Sequence, residues 1–202
     1  MSGIVGPIFA IDLGVRTGFA VGAPGTARPD SGAVILKRKD EPARTAAGNL
    51  IAFLHERFSA RCPSMFVMAS PPTIPWHAAA HSREETAWMQ YGLPMICLGM
   101  CDRFGIPSGT IAESTVRKHF IGVGRTGNRE ATKLTVISRC VVLGLLPRGS
   151  DDDDQADSIA LWDWACSTYG RRSVSTSSLH LFGESNGRSA SSDLRGTRDR
   201  AV

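Results

Sequence analysis

The sequence predicts an α/β fold in which a mixed sheet, with antiparallel first three strands and parallel later strands, is flanked by helices. Two observations predict this class. Short apolar runs separated by Gly-rich turns occupy residues 7–36, as in an antiparallel start to a sheet. Further apolar runs then alternate with segments whose apolar residues recur every three or four positions, as in helices that cover a sheet. The 202 residues are enough for one domain of this kind.

The first three strands are predicted from the opening apolar runs. Residues 8–11 form a short run that ends in Asp12, and residues 19–21 resume it after a Gly-rich turn. Residues 31–36, SGAVIL, predict the third strand. Because the connections between these runs are short, the strands are expected to be antiparallel neighbours.

Six further elements follow. In chain order they are a helix at 43–60, a buried strand at 64–69, a helical region at 83–104, a strand at 108–112, and helices at 129–146 and 154–168. Pro94 lacks a backbone N–H and is expected to kink or break the helical region. Leu134 and Ile137 are expected on the inner side of the next helix. The predicted order is therefore β-β-β-α-β-α-β-α-α.

Residues 171–202 differ in composition from residues 1–170. They contain eight serines and six arginines against three acidic residues, with few large apolar side chains. Such a segment buries too little apolar surface to offset the entropy of ordering, so a disordered basic tail is expected after one folded domain. The sequence has no apolar run of about 18 residues and no secretory signal, which favours a cytoplasmic protein without a membrane span.

The five cysteines are an odd number and include no CxxC pair. Cys97 and Cys101 are four residues apart, a spacing that two metal ligands on one helix also have. No second Cys or His pair nearby completes a tetrahedral site. Reduced, mostly buried thiols are therefore predicted, as is usual in the cytosol.

The net charge of +4 is unevenly distributed along the chain. Residues 103–148 contain eight basic residues against two glutamates, whereas residues 151–163 contain six aspartates and no base. A basic stretch beside an acidic one is typical of a phosphate-binding surface next to a cation site. Two unrelated solvated faces would give the same pattern.

Asp12 is the first candidate for chemistry. It ends an apolar strand, where a carboxylate is well placed to hold a hard cation such as Mg²⁺. Gly14 and Gly18 follow it and allow the chain to turn closely around a ligand. An aspartate that only caps the turn is the alternative.

A second group of candidates lies at the start of the last helix, in DDDDQADSIAL (151–161). Asp151 to Asp153 suit the positive end of the helix dipole and need no other role. Asp154 and Asp157, three residues apart, share a helix face bordered by apolar residues. Two half-buried carboxylates repel each other unless a cation lies between them, which favours a divalent metal site.

These segments resemble the RuvC-type Holliday junction resolvases of the RNase H-like superfamily, most closely the compact forms encoded by phages and prophages. FAIDLGVRTGFAV near the N-terminus and DDDDQADSIALWDWA near the C-terminus are similar to the two ends of that family. Between them, STVRKHFIGVGRTGNREATK resembles the family's basic, Gly-rich segment and the helix after it. The resemblance covers roughly residues 7–168 and implies an RNase H-like nuclease domain in residues 1–170.

The resemblance implies roles for particular residues. Asp12, Asp154 and Asp157 would be catalytic and would bind two Mg²⁺ ions per site, for which Mn²⁺ can substitute. Basic residues of the central segment would contact the DNA backbone near the scissile phosphate; they are Arg117, Lys118, Arg125, Arg129 and Lys133. The implied reaction is phosphodiester hydrolysis in four-way junctions or other branched DNA by a homodimer, in recombination, repair or phage DNA processing.

One position departs from the family pattern. The family carries a glutamate at the end of the central strand, and Met68 in FVMASPP (66–72) occupies its expected position. A thioether is a poor ligand for Mg²⁺. Glu84 or Glu85 on the next helix would be the nearest replacement, although a solvated first helical turn explains both acids more simply.

Two alternative functions remain. A resolvase relative that binds branched DNA without cutting it would explain Met68, whereas the three intact aspartates favour an active enzyme. An actin-like ATPase also carries a DxGxxTG loop on its first strand. Such ATPases pair two domains around a nucleotide and are normally far longer than this chain.

Overall fold

The computed structural model describes residues 3–71 and 84–170, and it confirms the predicted α/β class. Five strands form a mixed sheet in the order β3-β2-β1-β4-β5. The strands are β1 (Ile8–Asp12), β2 (Arg16–Gly22), β3 (Asp30–Ile35), β4 (Met65–Ala69) and β5 (Ser108–Ile111). The first three pair antiparallel, whereas β4 pairs parallel with β1 on one side and with β5 on the other. The carboxyl ends of β1, β4 and β5 therefore lie at the same edge of the sheet.

Helices cover both faces of this sheet. They are α1 (Ala43–Ala60), α2 (Glu84–Ala87), α3 (Leu93–Phe104), α4 (Glu113–Ile121), α5 (Arg129–Val142) and α6 (Asp153–Tyr169). α1 and α3 pack on one face, whereas α4, α5 and α6 pack on the other. No helix within the described ranges is long and apolar enough to cross a membrane.

Alternation along the strands sends successive side chains into two different cores. In β1, Ile8 and Ala10 lie in the core formed with α4, α5 and α6, whereas Phe9 and Ile11 face α1 and α3. All four side chains are buried, which explains why this strand is apolar on both faces. Asp12 is next in the alternation, so its side chain belongs to the face covered by α4, α5 and α6.

The helical region before β5 is continuous rather than broken. A π-helical turn (Trp88–Gly92) joins α2 to α3, and Pro94 falls in the first turn of α3. A wider π turn can absorb a proline at this point because it changes the local hydrogen-bond register. The expected kink or break at Pro94 is therefore replaced by a local change of helix type.

Two further helix predictions are corrected. No element was predicted for residues 113–121, where the structure has α4. Leu134, expected on the inner side of α5, is 63% exposed, whereas Thr132 and Val136 are buried. The buried stripe of α5 thus begins at a threonine, which a pattern of apolar residues alone does not include.

Gly18 is required by helix packing and not by turn geometry. A Cβ atom at Gly18 would overlap the carbonyl oxygen of Asp154 in the first turn of α6. Neither Gly14 nor Gly18 has a positive φ. Gly18 therefore lets α6 approach the sheet closely, which is a different role from the expected turn around a ligand.

The cysteines behave as predicted for reduced thiols. Cys97 and Cys101 are buried in the core beside α1, Cys140 lies in the other core, and none forms a disulfide. The predicted tail, residues 171–202, lies outside the described residues, so its expected disorder stays a prediction.

Candidate active site

A polar cleft lies at the edge of the sheet where β1, β4 and β5 end, and we refer to it as the acidic cleft. It has a volume of about 370 Å³. Its acidic lining consists of Asp12, Glu113, Asp153, Asp154 and Asp157. Its basic lining consists of Arg16, Arg117, Arg129 and Lys133. A larger groove of about 760 Å³ lies beside the first turns of α1 and α3 and shares no lining residue with the acidic cleft.

Asp12 is mostly buried at the end of β1. No hydrogen bond from the described part of the chain reaches its carboxylate. Burial, assisted by three neighbouring acids, raises the pKa of Asp12 to about 7, and Arg117 only partly opposes this. The acids are Asp157, Glu113 and Asp154, in order of effect. Within the described ranges Asp12 therefore has no hydrogen-bond partner, and Arg117 compensates its buried negative charge only in part.

Asp157 lies one turn into α6 and faces the same cleft. Its side chain is 15% exposed, and its Oδ2 lies 3.6 Å from Nη2 of Arg117. Burial raises the pKa of Asp157 to about 6, although the positive charge of Arg117 works against the increase. Asp12 and Asp157 therefore form a pair of desolvated acids at the bottom of the cleft.

The other aspartates at the start of α6 divide into a cap and two cleft residues. Asp152 caps the helix by accepting a hydrogen bond of 3.0 Å from the backbone N–H of Gln155. Arg16 binds both Asp152 and Asp154, the latter through Nη1 and Oδ2 at 2.8 Å. Burial raises the pKa of Asp154 in spite of this ion pair. Lys133 pairs with Asp153, so Asp153 also lies in the cleft and is more than a charge at the helix start.

Glu113 is a cleft acid that the sequence analysis did not single out. It is the first residue of α4, separated from the end of β5 by one residue, and it lines the cleft together with Asp12 and Asp157. It forms an ion pair with Arg117 four residues later. The signal that identifies it is the position after a parallel strand beside β4, combined with apolar residues at Val116 and Phe120 that predict a helix.

The predicted phosphate-binding residues separate into two groups. Arg117, Arg129 and Lys133 line the cleft. Lys118 is exposed on α4, and Arg125 donates a hydrogen bond of 3.0 Å to the carbonyl of Gly127 in the loop before α5. Neither Lys118 nor Arg125 lines the cleft, so only the first group can contact a phosphate held beside the carboxylates.

Strand alternation corrects the expectation for Met68. Met68 pairs in register with Ile11 and is 1% exposed in the core beside α1, on the opposite face of the sheet from Asp12. Ala69, one residue later, lines the cleft. The β4 position that faces Asp12 is therefore Ala69, which offers no ligand atom on its side chain.

Glu85 does not replace the missing carboxylate. Its Oε1 lies 2.7 Å from Nζ of Lys37, a buried lysine, and it lines the larger groove instead of the acidic cleft. The side chain of Glu84 lies outside the described part of the structure, so a role for Glu84 stays untested.

The donor set of the cleft fits a hard cation. Its acids offer only carboxylate oxygens, the ligands that Mg²⁺ and Mn²⁺ prefer, and its lining contains no Cys or His from residues 3–71 and 84–170. Among the described residues, no three such acidic, His or Cys side chains are already close enough together to hold a metal ion. Arg16, Arg117 and Lys133 instead neutralise the acids around Asp12. A divalent cation fits this set once the carboxylates rotate away from those basic partners.

Solved structures with a similar fold exist, although no protein-family model and no curated protein matches the sequence. RuvC of Thermus thermophilus in complex with a Holliday junction substrate matches with a TM-score of 0.56 and 19% identity, over 77% of this chain and 89% of that chain. The Thermus thermophilus RuvC structure matches with a TM-score of 0.53 and 19% identity, over 77% of this chain and 90% of that chain. The yeast mitochondrial Holliday junction resolvase Ydc2 matches with a TM-score of 0.56 and 12% identity, over 84% of each chain.

The chain has the RuvC-type RNase H-like fold. This confirms the fold that the resemblance implies. In this RuvC-type domain the acidic cleft lies at the carboxyl ends of parallel strands, where open α/β sheets bind their ligands. Asp12 is far in the sequence from Asp154 and Asp157, and the fold brings all three to that cleft.

Proposed function

We propose that this chain is a metal-dependent endonuclease that hydrolyses phosphodiester bonds in branched DNA, with four-way junctions as its substrate. The observation that carries the proposal is that Asp12, Asp154 and Asp157 share one cleft with four basic side chains. Carboxylates bind divalent cations and basic side chains bind phosphates, so one cavity contains both groups that this reaction needs. RuvC has the same fold in its complex with a Holliday junction substrate, which supports branched DNA as the ligand.

Asp12, Asp154 and Asp157 would hold Mg²⁺, or Mn²⁺ in its place, with two ions in each site. When bound, the ions would supply the Lewis acidity that activates water and stabilises charge on the leaving 3′ oxygen. Asp12 is suited to the central position because it has no hydrogen-bond partner among the described residues and both of its oxygens are available. A nearby cation would also favour its ionised form, against the burial that raises its pKa.

Arg117, Arg129 and Lys133 would bind the phosphates on either side of the cleaved bond. Arg117 and Lys133 are paired with cleft acids in the protein alone. When a metal neutralises those acids, the two cations are released to bind phosphates. The phosphates of the DNA would in turn keep Arg117 and Lys133 away from the acids, which leaves the acids available to the metal. Metal and DNA would therefore each strengthen the binding of the other. Lys118 and Arg125 would contact the DNA backbone farther from the cut.

A homodimer acting in the cytoplasm completes the proposal. Two symmetric cuts in a four-way junction need two active sites related by a two-fold axis. Such an enzyme would serve recombination, repair or phage DNA processing. The basic segment 171–202 would add non-specific attraction to DNA that weakens with salt.

A protein that binds branched DNA without cutting it is the second candidate. Ala69 favours this candidate, because a metal site that lacks a β4 carboxylate is expected to hold its ions less tightly. Binding would be affected less than cleavage, since arginine and lysine contacts to phosphates provide most of the affinity for DNA.

Cleavage of labelled four-way junctions in Mg²⁺ and in Mn²⁺ separates the two candidates. The native protein, Asp12→Asn and the exposed-site control Asp40→Asn would be compared, with junction binding measured separately by gel shift. If the protein is an endonuclease, we expect the native protein and the control to cut the junction, and the cleavage rate of Asp12→Asn to be lower by roughly 100-fold or more. Junction binding without cutting by all three proteins would support the binder. If the native protein does not bind the junction, both candidates are excluded.

A further inference from the structure

The acidic cleft lacks a carboxylate on β4, and an acid that follows the neighbouring strand β5 lies beside that gap. Ala69 ends β4 and lines the cleft. β5 lies beside β4 in parallel register, with Ile111 opposite Ala69. Glu113 follows β5 after one intervening residue. A side chain two residues beyond Ile111 therefore reaches the edge of the sheet at which a β4 carboxylate would lie.

Glu113 shares its cavity with the two most deeply placed aspartates. A small cavity under the cleft is lined by Asp12, Ala69, Glu113 and Asp157, together with Arg117 and the apolar residues Val116 and Leu161. The glutamate side chain is 53% exposed and has one more methylene than aspartate, so it can extend into the cleft without repacking the core. Glu113 thus stands across the gap at Ala69 from Asp12.

The contacts of Arg117 show that Glu113 and Asp157 converge. The same guanidinium nitrogen, Nη2, contacts Oε1 of Glu113 and lies 3.6 Å from Oδ2 of Asp157. A cation in the place of that nitrogen would lie between the two carboxylates. Arg117 itself is held incompletely, because its Nε is buried and has no hydrogen-bond partner in the described structure. Its side chain can therefore leave without breaking a complete set of hydrogen bonds.

We propose that Glu113 is a metal ligand of the acidic cleft and supplies the carboxylate that β4 lacks. The ligand set would then be Asp12, Glu113 and Asp157, with Asp154 at the outer side. This inference rests on the proposed function, because it assigns a further ligand to the same metal site. It also removes the main argument for an inactive protein, since the proposed ligand set keeps four carboxylates, which come from β1, α4 and α6.

Binding of Mn²⁺ tests the inference without measuring activity. Electron paramagnetic resonance of free Mn²⁺ would give the affinity of the full chain for native protein, Glu113→Gln, Asp12→Asn and the matched control Glu56→Gln. Glu56 is an exposed glutamate on α1, far from the cleft in the fold. We expect Glu113→Gln and Asp12→Asn each to weaken binding about tenfold or more, and Glu56→Gln to leave it unchanged.

A double-mutant cycle separates a ligand from a residue that only holds Arg117. In an Arg117→Met background, Glu113→Gln should still weaken Mn²⁺ binding by a similar factor if Glu113 binds the metal directly. If the effect of Glu113→Gln disappears in that background, Glu113 acts through Arg117 and the inference is wrong. If Asp12→Asn weakens binding and Glu113→Gln does not, the inference fails while the proposed metal site stands. If the native protein binds no Mn²⁺, the metal site of the proposed function fails with it.

Discussion

Replacing Asp12 by Asn should stabilise the metal-free protein at alkaline pH. In the folded protein the pKa of Asp12 is raised from 3.8 to about 7, chiefly by burial. Between these two values the folded state binds more protons than the unfolded state, so stability falls as pH rises. By pH 8 Asp12 is ionised in both the folded and the unfolded state. The difference between its two pKa values then corresponds to a loss of at most about 4 kcal/mol in the free energy of unfolding. Asn carries no charge and avoids this cost.

The measurable quantity is the difference in unfolding free energy between Asp12→Asn and the native protein. About 1.5 kcal/mol of the cost is already present at pH 5, so the difference should grow by about 2 to 3 kcal/mol between pH 5 and pH 8. An amide without a partner has its own burial cost of about 1 to 3 kcal/mol, which lowers the difference equally at both pH values. Urea unfolding in EDTA, followed by circular dichroism, measures this difference in unfolding free energy, with Asp40→Asn as the exposed control.

Parallel stability curves for the native protein and Asp12→Asn between pH 5 and pH 8 would refute this reasoning. That result would mean that the folded protein already compensates the charge of Asp12, for example by solvent reaching the carboxylate. Adding Mn²⁺ at pH 8 should reverse the order of the two proteins, because only the native carboxylate gains from a bound cation.

Three further predictions follow from the placement of single residues. Gly18→Ala should destabilise the protein by about 2 kcal/mol or more, since its Cβ would push α6 away from the sheet. Gly48 lies in open space on α1, so Gly48→Ala should instead stabilise the protein by about 0.5 to 1 kcal/mol in the same urea assay. Met68→Glu should lower the melting temperature without strengthening Mn²⁺ binding, because its side chain faces the core, whereas Ala69→Glu should strengthen Mn²⁺ binding. Lys133→Gln should reduce the salt dependence of junction binding by about one counterion.

Each of these three has an outcome that contradicts it. Equal stability of the two alanine variants would mean that α6 tolerates a side chain at Gly18. Tighter Mn²⁺ binding by Met68→Glu than by Ala69→Glu would restore the register first expected from the sequence. A salt slope in Lys133→Gln equal to that of the exposed-site control Lys39→Gln would place Lys133 outside the DNA interface.

Two errors in the sequence prediction of the site have separate physical origins. β4 reads MFVMA and is buried on both faces, so it has no alternation of polar and apolar residues to reveal which side chain faces the cleft. The predicted position of the missing carboxylate was therefore displaced by one residue, from Ala69 to Met68. Glu113 was overlooked because α4 is short and its apolar side chains, Val116 and Phe120, lie among charged residues that resemble a loop.

The sequence by itself determined the fold class, most element bounds and three of the cleft aspartates, because periodicity and strand ends are local properties of the chain. Only the tertiary structure decided which charges meet. The pairing of β4 with both β1 and β5 brings Glu113 to Asp12, and the close approach of α6 at Gly18 brings Asp154 to the same cleft. Such contacts depend on strand order and helix–sheet packing, which join residues a hundred or more positions apart and leave no local pattern in the sequence.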